Sequence, residues 1–297
     1  MADVGPGPAR DVQLFHVRSL VAASAAVLRR PVLILIVYAG TLLVAVPVAA
    51  LLSSAAEPAL PGFAAPLDNL SAVFDLAGRP AQAIAGAVAY GLIWVLLWGA
   101  VLDAFARGGR GRGLVNGATA FLPSMIKLSL VAAGAYAVVF LVVHPILLGW
   151  LFGALTANVD SERTAFVIRV ALYAVLALVL APISLVIDYA RVQTVVSGRT
   201  HTFEALAAAV HFVRRHAAQV MALAGAMLVC FAGLLFAYYA FDRITRGAPS
   251  LISFLVVGQG FILGRLVLRL VYAAAEVDLV IASRTADTTS GAVARSE

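Results

Sequence analysis

Twice in this chain an apolar run closes on an aspartate, with an arginine one helical turn later. Asp103 precedes Arg107 in "LDAFARG", and Asp188 precedes Arg191 in "IDYARV". The last apolar run closes on Glu276 and Asp278, followed by Arg284. At i,i+4 and i,i+3 the partners share a helix face, so each can form an ion pair, worth a few tenths of a kcal/mol when exposed. Two more arginines, Arg265 and Arg269, sit one turn apart inside the last apolar run. Charge at such depth is costly and faces a protein interior or a cavity. Asp103, Asp188 and Glu276 are its natural partners, unless the side chains snorkel to the headgroups. Such residues suit two tasks: holding an anionic headgroup, or lining a polar pathway.

Covalent and metal chemistry find no comparable support. There is no G-x-S-x-G, HExxH or P-loop, and no His/Cys/Asp set at metal-ligand spacing. The single cysteine, Cys230, lies in an apolar run, which excludes an intrachain disulfide. His144, beside Pro145, has no nearby acid and reads as a packing residue rather than a proton relay. "GGRGRG" has a cradle's glycines but no preceding strand, and reads as a flexible basic loop near anionic lipid. We expect no enzyme, no metal and no cofactor.

The elements carrying these charges are set by composition. Only 12% of residues are charged while 63% are hydrophobic, and soluble domains carry about twice that charge. The chain therefore reads as an integral membrane protein. Its formal charge of +6 lies between apolar runs, so nucleic acid is not the expected partner. Runs long enough to cross a bilayer, about 20 residues, fall near 31–53, 82–106, 125–156, 164–190, 217–241 and 251–283. Their length and lack of period-two alternation favour helices over a barrel. "GWLFG" (149–153) and "GFILG" (260–264) read as intramolecular packing positions. Pro47, Pro145 and Pro182 should kink their spans.

Basic residues orient the spans. Arg29 and Arg30, Arg107, Arg110 and Arg112, and Arg191, Arg199, Arg214 and Arg215 cluster on one side, while acids dilute the arginines of the other. The positive-inside rule places both termini in the cytoplasm. The first apolar run is too long for a signal peptide's core and follows some thirty residues, so it reads as a retained span. Residues 67–78 of the longest outer loop read as a short surface helix, and 285–297 as a disordered tail.

A repeat organises the whole chain. Amphipathic segments ending in basic residues, at 14–31, 114–127 and 202–216, precede the first, third and fifth spans. In the third, Phe203, Leu206, Val210 and Val213 recur at helical spacing; in the first, Leu14, Val17, Val21 and Leu28 do so. Such helices lie in the headgroup plane. The expected fold is therefore all-α: one membrane domain of six transmembrane helices, in three units of interfacial helix plus hairpin at about 11–106, 114–198 and 202–284. An acid about 23 residues into a helix lies roughly 34 Å along it, past the apolar core. The acids then end spans whose arginines anchor to headgroups, or gather about a pseudo-threefold axis as one polar cluster.

With "LDAFARG" and "IDYARV" each leading to an interfacial helix, the layout resembles the membrane domain fused to some bacterial glycerophosphodiester phosphodiesterases, and related six-span proteins. The resemblance implies a bacterial inner-membrane protein. It does not carry the phosphodiesterase activity, because this chain lacks the soluble catalytic domain. The expected function is non-enzymatic binding of anionic lipid headgroups, or of a membrane partner, at the cytoplasmic face. The alternative is a small-solute or ion transporter using Arg265, Arg269 and the repeated acids. Asp103, Arg107, Asp188, Arg191, Glu276, Arg265 and Arg269 are the candidate site residues.

Overall fold

The computed structural model describes residues 19–56, 80–109, 112–159, 161–198, 201–245 and 251–293. Among them there is no strand. The helices are α1 (Ser19–Leu28), α2 (Pro31–Ala56), α3 (Pro80–Arg107), α4 (Arg112–Val138), α5 (Phe152–Thr156), α6 (Glu162–Ser197), α7 (Thr202–Arg215), α8 (Ala217–Thr245) and α9 (Leu251–Val293). The expected surface helix at 67–78 lies outside the described residues. Residues 285–293 of the expected disordered tail continue α9 as helix.

Among the described residues, four stretches are long and apolar enough to cross a membrane: Val88–Arg107, Gly113–Thr156, Glu162–Ser197 and Ala217–Phe241. A fifth is counted if α1 and the first part of α2, bent by 77° at their junction, form one span. Bulky apolar side chains stand exposed along these helices, among them Leu141, Trp150, Leu178 and Phe236. Apolar surface this extensive needs a non-aqueous neighbour, which is compatible with a multi-pass membrane protein. The last helix, α9, carries Arg265, Arg269, Glu276 and Asp278 along its apolar run and is not among the four.

The three amphipathic segments end differently, for local reasons. α1 stops at Leu28, and the chain turns sharply into Pro31. Proline donates no N–H and is at home in a helix's first turn, so it opens α2. α7 ends at Arg215, where His216 leaves helical geometry at φ −111° before α8 begins. Between Leu114 and Lys127 nothing breaks the backbone, and α4 runs through into the following span. The expected separate middle helix is therefore continuous with its span.

That span widens at Val139–Val143 and Pro145–Leu151, which take π-helical spacing. Proline at 145 supplies no N–H, and the N–H of His144 donates five residues back, to the Val139 carbonyl. The His144 ring lies 6.1 Å from that of Phe140, a packing contact.

The chain forms two compact units, Met1–Val101 with Gly225–Ala275, and Leu102–Ala224 with Glu276–Glu297. In the first, a Cβ on Gly40 would stand 2.9 Å from Leu97, so α2 and α3 approach closely there. A Cβ on Gly264 would lie 2.9 Å from Leu234, which makes "GFILG" a packing position between α8 and α9. Gly149 and Gly153 of "GWLFG" face open space instead. Tyr38 donates its hydroxyl to Gln259 Oε1 at 2.6 Å, which satisfies a polar residue of α9 from α2.

In the second unit, α6 is the central element and packs on α4 and α7. Ala205, Ala209 and Phe212 form the buried stripe of α7, and the Phe212 ring lies 5.1 Å from that of the fully buried Tyr189. The alanines let the two helices come close. The bulkier Phe203 and Val210, expected to share the apolar face, are left exposed.

Candidate functional site

In the second unit the opening acids and arginines meet as their spacing predicts. Arg107 Nη1 donates to Asp103 Oδ1 at 2.9 Å, and Arg191 Nη1 to Asp188 Oδ1 at 3.1 Å. The Asp103 side chain is 10% exposed and that of Arg107 54%. Arg107 does more than pair on its own helix: its Nη2 donates to the Val195 carbonyl at 3.1 Å. Val195 is among the last residues of α6, whose carbonyls have no partner within the helix. One guanidinium thus joins the end of α3 to the end of α6, and its carbon lies 5.1 Å from the Phe121 ring centroid of α4.

Each of the two helices that carry an acid–arginine pair ends at a left-handed glycine. Gly108 has φ +75° and donates its N–H to the Ala104 carbonyl, while Gly198, at φ +65°, caps α6. Left-handed geometry is open to glycine without the Cβ penalty and ends each helix sharply.

Asp103 is 7% exposed and Glu276 1%. Gln193 and Thr194, on α6, are buried with them in the same unit. Thr194 turns its hydroxyl to the Ala190 carbonyl at 2.8 Å.

In the first unit Arg269 lies against two aromatic faces of α3. Its guanidinium carbon stands 4.6 Å from the Trp94 ring centroid and 4.9 Å from that of Trp98. The indoles of residues one turn apart offer negatively charged faces to a cation. Arg265, one turn earlier on α9, is exposed.

The second unit also holds a cleft of about 590 Å³ that no sequence motif marks, lined by Gln193, Glu204, His211, Arg215 and Arg284 with Phe212 at its wall. Arg284 of α9 reaches α6 there, donating Nη2 to Gln193 Oε1 at 2.6 Å and to Ser197 Oγ. A signal was present: Gln193 and Ser197 are i,i+4 near the end of α6 and share a face. No family model, curated protein or solved structure matches the chain.

Proposed function

We propose that this protein is a non-enzymatic, multi-pass protein of a bacterial inner membrane that binds anionic lipid headgroups at its cytoplasmic face. Six spans in three repeated units are part of the proposal, with α9 as the sixth and both termini in the cytoplasm. The observation that carries it is α7. This helix buries only its alanine–phenylalanine stripe, exposes Phe203 at 82%, and ends on Arg214 and Arg215. An apolar edge beside basic residues is the pattern of a helix seated among headgroups. In the same unit Arg107 and Arg191 are each held by an aspartate of their own helix. Arg265 and Arg269 are the headgroup candidates of the first unit.

The direct test is Phe203→Trp with the native tryptophans replaced by phenylalanine, reconstituted in vesicles carrying acyl-brominated lipids. Quenching of the residue-203 emission supports the seated helix; emission equal to that in unbrominated vesicles overturns it.

A second reading, a transporter of a small solute or ion, draws on the buried carboxylates of Asp103 and Glu276. Ionisable groups inside membrane proteins commonly mark polar pathways. A solute flux in liposomes that disappears in Arg265→Ala would favour it over headgroup binding.

A further inference from the structure

We infer that the cleft between α6, α7 and the start of the last turns of α9 beyond Glu276 is a phosphate-binding site, made for a monoanionic phosphodiester. The inference rests on the headgroup reading above and names where the headgroup sits. Arg215 and Arg284 bring two guanidiniums to the cleft beside one carboxylate, that of Glu204, which favours an anion. An apolar wall next to them favours a phosphate esterified to glycerol over a free one. His211 adds a ring nitrogen, and Ala207, Ala208 and Phe212 give an apolar wall for the adjoining glycerol.

The cleft is also pre-arranged. Gln193 is buried, and its Oε1 accepts from Arg284 at 2.6 Å. Ser197, one turn later, accepts from the same Nη2. An arginine braced by two side chains loses less freedom on meeting a ligand than a loose surface arginine. Arginine's planar fork matches phosphate oxygens, and basic pockets between membrane helices hold lipid heads. Arg215 ends α7, the helix whose exposed Phe203 we seat among lipids at its start, about 18 Å along the axis.

The test is the melting temperature of the full-length protein in a neutral detergent. Short-chain phosphatidylglycerol, short-chain phosphatidylcholine and inorganic phosphate are each titrated. A ligand that binds the folded state raises the melting temperature with concentration. Phosphatidylglycerol is expected to raise it, and Arg215→Gln/Arg284→Gln to weaken the apparent affinity by roughly tenfold or more. Gln193→Ala, which removes the brace and no charge, is expected to weaken it less. That variant keeps the test decisive if the double variant does not fold.

If phosphatidylglycerol stabilises wild type, double variant and Gln193→Ala alike, the cleft is not the site, while the headgroup reading stands. If no phospholipid stabilises the wild type, the headgroup reading itself fails. A rise with inorganic phosphate equal to that with phosphatidylglycerol, and lost in the double variant, overturns the phosphodiester assignment and leaves a site for soluble phosphate. An equal rise with phosphatidylcholine, lost in the double variant, supports the phosphodiester site without preference for an anionic lipid.

Discussion

The side chain of Asp103 fills the space beside Gly117: a Cβ built on residue 117 would stand 2.7 Å from Asp103 Oδ2 and 2.8 Å from its Cβ. The aspartate is at the same time held by Arg107 at 2.9 Å. The end of α3 therefore meets the start of α4 through a carboxylate that has little room to move.

Gly117→Ala is expected to destabilise the protein by about 1–3 kcal/mol, since overpacking a tight contact costs that much. Thermal unfolding in detergent measures it. Gly134→Ala is the comparison: nothing lies within 4 Å of that position, so it should be neutral or slightly stabilising.

Arg107→Ala removes both the ion pair and the bond to the Val195 carbonyl. Asp103 is buried, so losing Arg107 leaves its carboxylate unpaired as well as removing the bond to α6, and hydrogen bonds to charged groups contribute about 1.5–3 kcal/mol. The same unfolding assay should show Arg107→Ala costing more than Asp103→Asn, with Arg107→Lys between them. Equal effects of Arg107→Ala and Asp103→Asn would mean that the bond to α6 contributes nothing.

Gly198→Ala is expected to cost about 1–2 kcal/mol, because the left-handed conformation brings Cβ against the following carbonyl oxygen. Asparagine, which visits that region more readily, should cost less there. The comparison of the two melting temperatures checks that α6 ends at this glycine.

Arg269→Ala should remove a cation–π contact of about 0.5–2 kcal/mol and shift the emission of Trp94 and Trp98. In a Trp150→Phe background these are the remaining two of the three tryptophans. An unchanged emission maximum would show that the guanidinium does not lie on the rings.

The sequence made some of this legible and hid the rest, for physical reasons. Asp103–Arg107 and Asp188–Arg191 could be read because i,i+4 and i,i+3 partners meet on any helix. The apolar runs near 82–106, 125–156, 164–190 and 217–241 mark the four stretches long and apolar enough to cross a membrane, while those near 31–53 and 251–283 do not stand among the four. The stacking of Arg269 on Trp94 and Trp98 could not be read, since it depends on which faces of α3 and α9 meet. The choice of the Ala205–Ala209–Phe212 stripe over the Phe203 side was hidden likewise: periodicity marks both, and only close approach to α6 favours the alanines. At the amphipathic segments, Pro31 signalled a break after α1. Leu114–Lys127 carries no such signal and continues into its span.

The central claim, that the protein holds anionic lipid through its arginines, is tested most directly by native mass spectrometry of protein extracted with its own membrane lipids, beside Arg265→Ala/Arg269→Ala. The account predicts an anionic phospholipid retained on the wild type and reduced occupancy in the variant, with the cleft at Arg215 and Arg284 still able to hold lipid. A wild type that leaves the membrane with no bound lipid would contradict it.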